Sequence, residues 1–274
     1  QKGSHMTVFL TSLHIYLAAL AGVDGPERVA AIDSLVASGD VEWISQAVYE
    51  TGWRERDGLI DALERIVATS ELVDIARNHP KVDAQRLAIR SLGRVGILAR
   101  DALLALMHSP HRDLVVEGVG NVGDARDVAV VRTFLADAHP DVRRRAALAL
   151  VALTGDEAVD DLALLLGDSH HGVRFVSAEA LVALGDVSGQ AVLTQYDALS
   201  VAGQFTALGV LGRLRYEPAR VLVFEVLGHA DWSLRSAAVE ALVFLGDAKT
   251  VLKRMLDTEP HPFVRARLQE ALLN

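Results

Sequence analysis

The sequence has no cysteine. That excludes a disulfide framework, a thiolate metal site and a cysteine nucleophile, and it fits a reducing, cytoplasmic compartment. Aromatic residues make up only 5% of the chain, although 51% of it is hydrophobic. Ala, Val and Leu dominate, which suits closely packed helices better than an aromatic-filled sandwich. Only seven prolines interrupt 274 residues. Basic residues are in deficit, 27 against 36 acidic, for a net charge of −9. With no Lys/Arg-rich run, this argues against nucleic acid as a partner. The longest apolar stretch, Val8 to Val23, holds His14, lacks a basic leader and falls short of the roughly 20 residues of a membrane span. It reads as a first helix, about Thr7 to Leu20, with a signal peptide as the lesser alternative and no membrane span expected. Gly3-Ser4-His5-Met6 reads as a cloning remnant, so residues 1–6 are set aside and 7–274 are taken as one domain.

What the chain does have is a repeat. Val142-Arg-Arg-Arg-Ala-Ala-Leu-Ala-Leu150, Val173-Arg-Phe-Val-Ser-Ala-Glu-Ala-Leu181, Leu234-Arg-Ser-Ala-Ala-Val-Glu-Ala-Leu242 and Val264-Arg-Ala-Arg-Leu-Gln-Glu-Ala-Leu272 each place Arg second and Leu seven residues later. The Arg position is filled in turn by Arg28, Arg56, Gln85, Arg112, Arg143, Arg174, Val201, Arg235 and Arg265, at spacings of 27 to 34 residues. The residue before the matching Leu or Val is always small: Ser34, Ala62, Ser91, Gly118, Ala149, Ala180, Ala207, Ala241 and Ala271. A small residue there lets stacked helices approach closely.

Punctuation follows each such helix. Gly-Asp recurs at Gly39-Asp40, Gly123-Asp124, Gly155-Asp156, Gly185-Asp186 and Gly246-Asp247. Gly ends a helix in the left-handed conformation, and Asp is expected to cap the next one. Pro26, Pro110, Pro140 and Pro262 stand two or three residues before the Arg position, where the first helical turn tolerates them. The pattern is helix A, tight turn, helix B. The B helices include Val128 to Leu135 and Val159 to Leu166, and the whole comes to about nine pairs and roughly eighteen helices. The repeat at Val201 lacks both the Arg and the Gly-Asp, so irregular packing is expected there.

The run His139-Pro-Asp-Val-Arg143 and the Ala-Leu-x-x-Leu-Gly-Asp run from Ala180 to Asp186 resemble HEAT-like repeats of the short phycobilisome-lyase type. The resemblance covers essentially Met6 to Asn274. It implies an all-α, right-handed α-α superhelix. It further implies a non-catalytic scaffold or adaptor that binds a protein of unknown identity on the concave face. The alternative it implies is a bilin (tetrapyrrole) lyase-type subunit, or a chaperone of a chromoprotein.

Candidate chemistry is sparse. The arginines Arg28, Arg56, Arg112, Arg143, Arg174, Arg235 and Arg265 read as a structural ladder between repeats, with Asp33, Asp61, Glu117, Glu179, Glu240 and Glu270 five positions further on. His108, His139, His170 and His261 each precede the Arg position by four residues, with His171 adjoining. Whole repeats separate them by about a helix-packing distance, some 10 Å, too far to share an ion through bonds of about 2 Å. No metal site is expected. Trp53 and Trp232, three residues before the Arg position, are expected to pack over their own helix starts. Gly118-Val-Gly-Asn-Val-Gly123 imitates a dinucleotide fingerprint but lies at a helix end rather than after a strand. Neither a cofactor nor a catalytic residue is expected.

One column differs. Eleven residues before the Arg position stand Ser45, Asp74, Asp101, Arg132, Ala163, Gln190, Phe224 and Arg254, mostly polar and varied. Two residues later the column is apolar throughout. The first column should face solvent, which makes Asp74, Asp101, Arg132, Gln190 and Arg254 the candidate protein-binding stripe on the B helices.

Overall fold

A computed structural model describes residues 15–22, 24–246 and 249–273. Every regular element among them is helical, and none is long and apolar enough to cross a membrane. The larger part of the expected Thr7–Leu20 helix and Asp247 lie outside the described residues. Contacts cluster into two compact units, one ending at Val131 and one beginning at Arg132.

The first unit starts with α1 (15–21) and continues through α2 (Pro26–Ser38), α3 (Val41–Glu50), α4 (Trp53–Ile66), α5 (Thr69–Asn78), α6 (Val82–Val95), α7 (Arg100–Leu104) and α8 (Arg112–Val122). Helix α9 (Val128–Thr133) follows. The second unit holds α10 (Pro140–Thr154), α11 (Val159–Leu165), α12 (His171–Leu184), α13 (Val187–Gln195), α14 (Val201–Arg213), α15 (Arg220–Val226), α16 (Trp232–Leu245), α17 (Lys249–Thr258) and α18 (Pro262–Leu273).

Within the first unit α2 packs on α4, α4 on α6 and α6 on α8; within the second α10 packs on α12, α12 on α14, α14 on α16 and α16 on α18. These are the A helices, and the chain is an α-solenoid of helix pairs. The Leu column supplies the core: Leu63, Leu92, Val119, Leu150, Leu181, Leu208 and Leu242 are fully buried. Small residues set the spacing. A Cβ added at Gly212 of α14 would lie 2.7 Å from the Cα of Ala241 in α16, and one added at Gly93 would lie 3.1 Å from the Cα of Gly118. The glycine run that imitates a nucleotide fingerprint is therefore part of a helix–helix contact, with Gly123 as its left-handed cap (φ 76°).

The punctuation holds in its first half. Gly39, Gly123, Gly155, Gly185 and Gly246 all have positive φ, where a side chain would be strained. The second half needs correction. The Asp40 side chain accepts from the Trp43 N–H and that of Asp124 from the Arg126 N–H. Asp186 makes no such cap, and Asp156 falls inside a 3₁₀ turn, Gly155–Ala158. Two B helices are also shorter than expected. Helix α9 stops at Thr133 and passes into a 3₁₀ turn, Phe134–Ala136, and α11 stops at Leu165. Around Val201, where irregular packing was expected, α14 still packs on α12 and α16. There Arg215 takes the left-handed conformation (φ 51°) usually left to Gly, and a Cβ at Gly203 would meet the Leu166 carbonyl at 2.7 Å.

Candidate functional site

The ladder arginines occupy three kinds of setting. Arg28 and Arg56 are buried. Arg28 donates to the carbonyls of Leu20 and Arg54 and to Asp57, and Arg56 donates to the carbonyls of Val48 and Thr51 and to Asp83. Arg112 is half-buried and Arg265 is exposed at the last repeat.

In the second unit a fixed scheme appears. Nη1 of Arg143 donates to the carbonyls of Asp137 and Ala138, the turn that opens its own helix. Its Nε and Nη2 then reach Asp168 of the following repeat at 2.6 and 2.7 Å. Arg235 repeats this: Nη1 to His229 and Ala230, Nε and Nη2 to Glu259 at 2.9 and 2.6 Å. Burial alone would raise the Asp168 carboxyl, but the hydrogen bonds from Arg143 and the His170 N–H outweigh it and hold it below the ordinary value. Hydrogen bonding to Arg235 likewise holds Glu259 low. The acidic column five residues after the Arg forms a separate, outer set of pairs, Asp33 with Arg65 and Glu179 with Arg213.

Asp168 and Glu259 share a second duty. Each sits two residues ahead of the residue that enters the next A helix and accepts that residue's N–H, as do His79, Ser109, Asp137 and His229 in their own repeats. The same place ahead of Ser200, which enters α14, holds Ala198.

The B-helix stripe lies where its pattern placed it on each helix: Asp74, Asp101, Arg132, Gln190 and Arg254 are all exposed. Several are engaged. Asp74 accepts from the Tyr49 hydroxyl at 2.7 Å, Arg132 pairs with Asp161 at 2.9 Å, and Gln190 accepts from the Tyr216 hydroxyl at 3.0 Å. Asp101 pairs with its neighbour Arg100. Ala163, from the same column, is buried, so the column does not face solvent throughout. Asp74 and Asp101 belong to the first unit, Arg132, Gln190 and Arg254 to the second.

A concave surface lies elsewhere, on the A helices of the second unit. A groove of about 760 Å³ crosses α12, α14 and α16, and its floor and walls include Arg174, Phe175, Glu179, Val201, Phe205 and Arg213. A second hollow of about 470 Å³ adjoins it, sharing Phe205 and extending past Trp232 to Phe263 on α18. Phe175 is 62% exposed and Phe263 70%, a heavy concentration in a chain with seven Phe and three Trp. Trp232 departs from expectation. It stacks face to face on His261 of the next repeat, centroids 4.3 Å apart, and approaches Phe263 at 5.8 Å. Trp53 is 67% exposed with the Arg54 guanidinium over its ring. A line of aromatic edges thus runs across successive A helices of the second unit. The fixed-column reading missed it, since it singled out only the tryptophans.

His139 and His170 stand at the N-cap positions of their helices, where only the His170 side chain accepts a bond, from the Gly172 N–H, and His170 stacks on His171. Among the described residues no group of three His, Asp or Glu side chains is placed to hold a metal ion.

Stacked helix pairs, arginine rungs and close small-residue contacts define a class, the helical-repeat solenoid. The HEAT-repeat family model matches residues 69–150, 128–200 and 197–273, and the chain belongs to that family. It is 29% identical over 188 residues to the phycocyanobilin lyase subunit beta of Nostoc sp. (strain PCC 7120), covering 60% of this chain and 93% of that protein. Among solved structures it resembles human deoxyhypusine hydroxylase in complex with glycerol at 18% identity and a TM-score of 0.41, over 88% of this chain and 97% of that one. It also resembles the complex of CpcE and CpcF of phycocyanin lyase from Nostoc sp. PCC7120 at 18% identity and a TM-score of 0.39, over 94% and 92%.

Proposed function

We propose that this chain is a subunit of the bilin-lyase type, holding a tetrapyrrole or the chromoprotein that carries one. The observation that carries this is the 29% identity spanning 93% of the Nostoc lyase subunit. The A-helix groove supports it. At about 760 Å³ it lies within the roughly 300–1,000 Å³ of small-molecule sites, and its exposed Phe175 and Phe205 edges offer a flat conjugated ligand an apolar bed. Besides arginines and glutamates it is lined by His171, Thr206 and Ser233, and the two hydroxyls are engaged by the Ala202 carbonyl and by Asp231, which favours holding and presenting a ligand over chemistry by this chain alone. Titration with phycocyanobilin tests the reading. A red-shifted, sharpened absorption band is expected with the wild type and a weakened one with Phe205→Ser. No spectral change at saturating bilin, with and without a candidate chromoprotein, would overturn it.

The exposed B-helix column supports a second reading, a protein-binding scaffold that docks its partner in the second unit on Arg132, Gln190 and Arg254. Arg254 and Arg132 are its cations, and exposed pairs such as Arg132–Asp161 contribute little to stability. Arg132→Glu with Arg254→Glu is therefore expected to leave the melting temperature nearly unchanged, while weakening capture of the partner and altering its salt dependence. Undiminished capture by the double variant would remove the stripe from consideration.

A further inference from the structure

Arg174 has the backbone half of the ladder scheme and lacks the other half. Its Nη1 donates to the carbonyls of Asp168 and Ser169 at 2.8 and 3.1 Å, as Arg143 and Arg235 do with their own turns. In those two, Nε and Nη2 clasp a carboxylate from the following repeat. In Arg174, Nε is buried and donates to no acceptor, and the place of Asp168 and Glu259 is taken by Ala198. A guanidinium left with a buried, unsatisfied donor is costly unless something supplies the acceptor. The same side chain lines the A-helix groove, beside Phe175, Val201 and Phe205.

We propose that the groove binds an amphipathic carboxylate, with the ligand's carboxylate taking the vacant rung on Arg174 and its apolar body lying along Phe175, Val201 and Phe205. The charge requirement is specific. Glu179, which also lines the groove, is already paired with Arg213. Arg174 is thus the cation there without a carboxylate partner among the described residues. An anion of planar, two-oxygen shape matches the fork that Asp168 and Glu259 fill in neighbouring repeats. The apolar body is needed because a lone carboxylate in water gains little from one guanidinium. The inference shares its groove with the lyase reading but rests on the Arg174 rung, which owes nothing to the likeness to a lyase subunit.

The probe is decanoate, with decan-1-ol as its uncharged counterpart, titrated calorimetrically into the full chain. One saturable site is expected, with decanoate bound at least about tenfold more tightly than decanol. Ala198→Asp and Ala198→Glu supply the missing carboxylate from within, copying the Arg143 and Arg235 rungs. Both are expected to raise the melting temperature and to abolish the preference for decanoate while leaving decanol binding intact. Arg174→Gln should abolish the same preference. Equal affinities for acid and alcohol in the wild type, or an undiminished preference for decanoate in both Ala198 variants, would overturn the proposal. The probe has no chromophore, so its failure and a failed bilin titration are separate results.

Discussion

Arg143→Ala is expected to lower the melting temperature on the order of 10 °C, while Arg144→Ala, one residue on, changes it little. Arg143 is 13% exposed and Asp168 7%, and the two form a two-pronged pair. Removing one partner strands a buried charge, at a cost of about 3–5 kcal/mol. Two carbonyls, of Asp137 and Ala138, lose their donor as well. Arg144 instead makes an exposed contact with Asp141 three residues away, worth a fraction of a kcal/mol. The rung also carries a pH signature. Because the Asp168 carboxyl is held below its ordinary value, its contribution is present above the unfolded-state pKa of about 3.9 and is lost as pH falls through the lower folded value. The gap between wild type and Arg143→Ala should therefore narrow at acid pH. Equal melting temperatures for the two alanine variants at neutral pH would contradict the ladder.

Two glycines one turn apart on α14 should respond in opposite directions to the same substitution. Gly212→Ala would put its Cβ 2.7 Å from the Cα and 3.1 Å from the Cβ of Ala241. Neither atom can yield without separating α14 from α16, so the change is expected to cost about 1–3 kcal/mol. Gly209→Ala meets nothing within 4 Å and removes a glycine from a helix interior, an expected gain of about 0.5–1 kcal/mol. Thermal unfolding of the two variants beside the wild type reads both effects. A stabilised Gly212→Ala would mean that the contact of Gly212 with Ala241 does not set the distance between α14 and α16.

Much of this architecture could be read from the chain before any coordinates. The Leu column, the small residue before it and the Gly endings act locally or between immediate neighbours, so they recur at each repeat's own register. The Asp of each Gly-Asp pair was less legible. Whether it caps depends on how the chain enters the next helix, and at Asp156 a 3₁₀ turn intervenes. Trp232 was misplaced for a related reason. Its stacking partner, His261, belongs to the following repeat, which a reading confined to one helix start does not include.

The sequence alone determined that this is an all-α chain of HEAT-type helix pairs, with apolar seams, small-residue contacts and an arginine at the head of most A helices. Tertiary structure decided where the aromatic groove lies. Relative to the Arg position, Trp232 stands at −3, Phe175 at +1 and Phe205 at +4. Those offsets differ by four and three residues and so share one helical face. No single column contains them, and they meet only when α12, α14 and α16 are stacked. The vacant rung was hidden in the same way. Ala198 is an unremarkable alanine until the bonds of Arg143 and Arg235 show that its place belongs to a carboxylate, because that requirement comes from an arginine 24 residues earlier, on another helix.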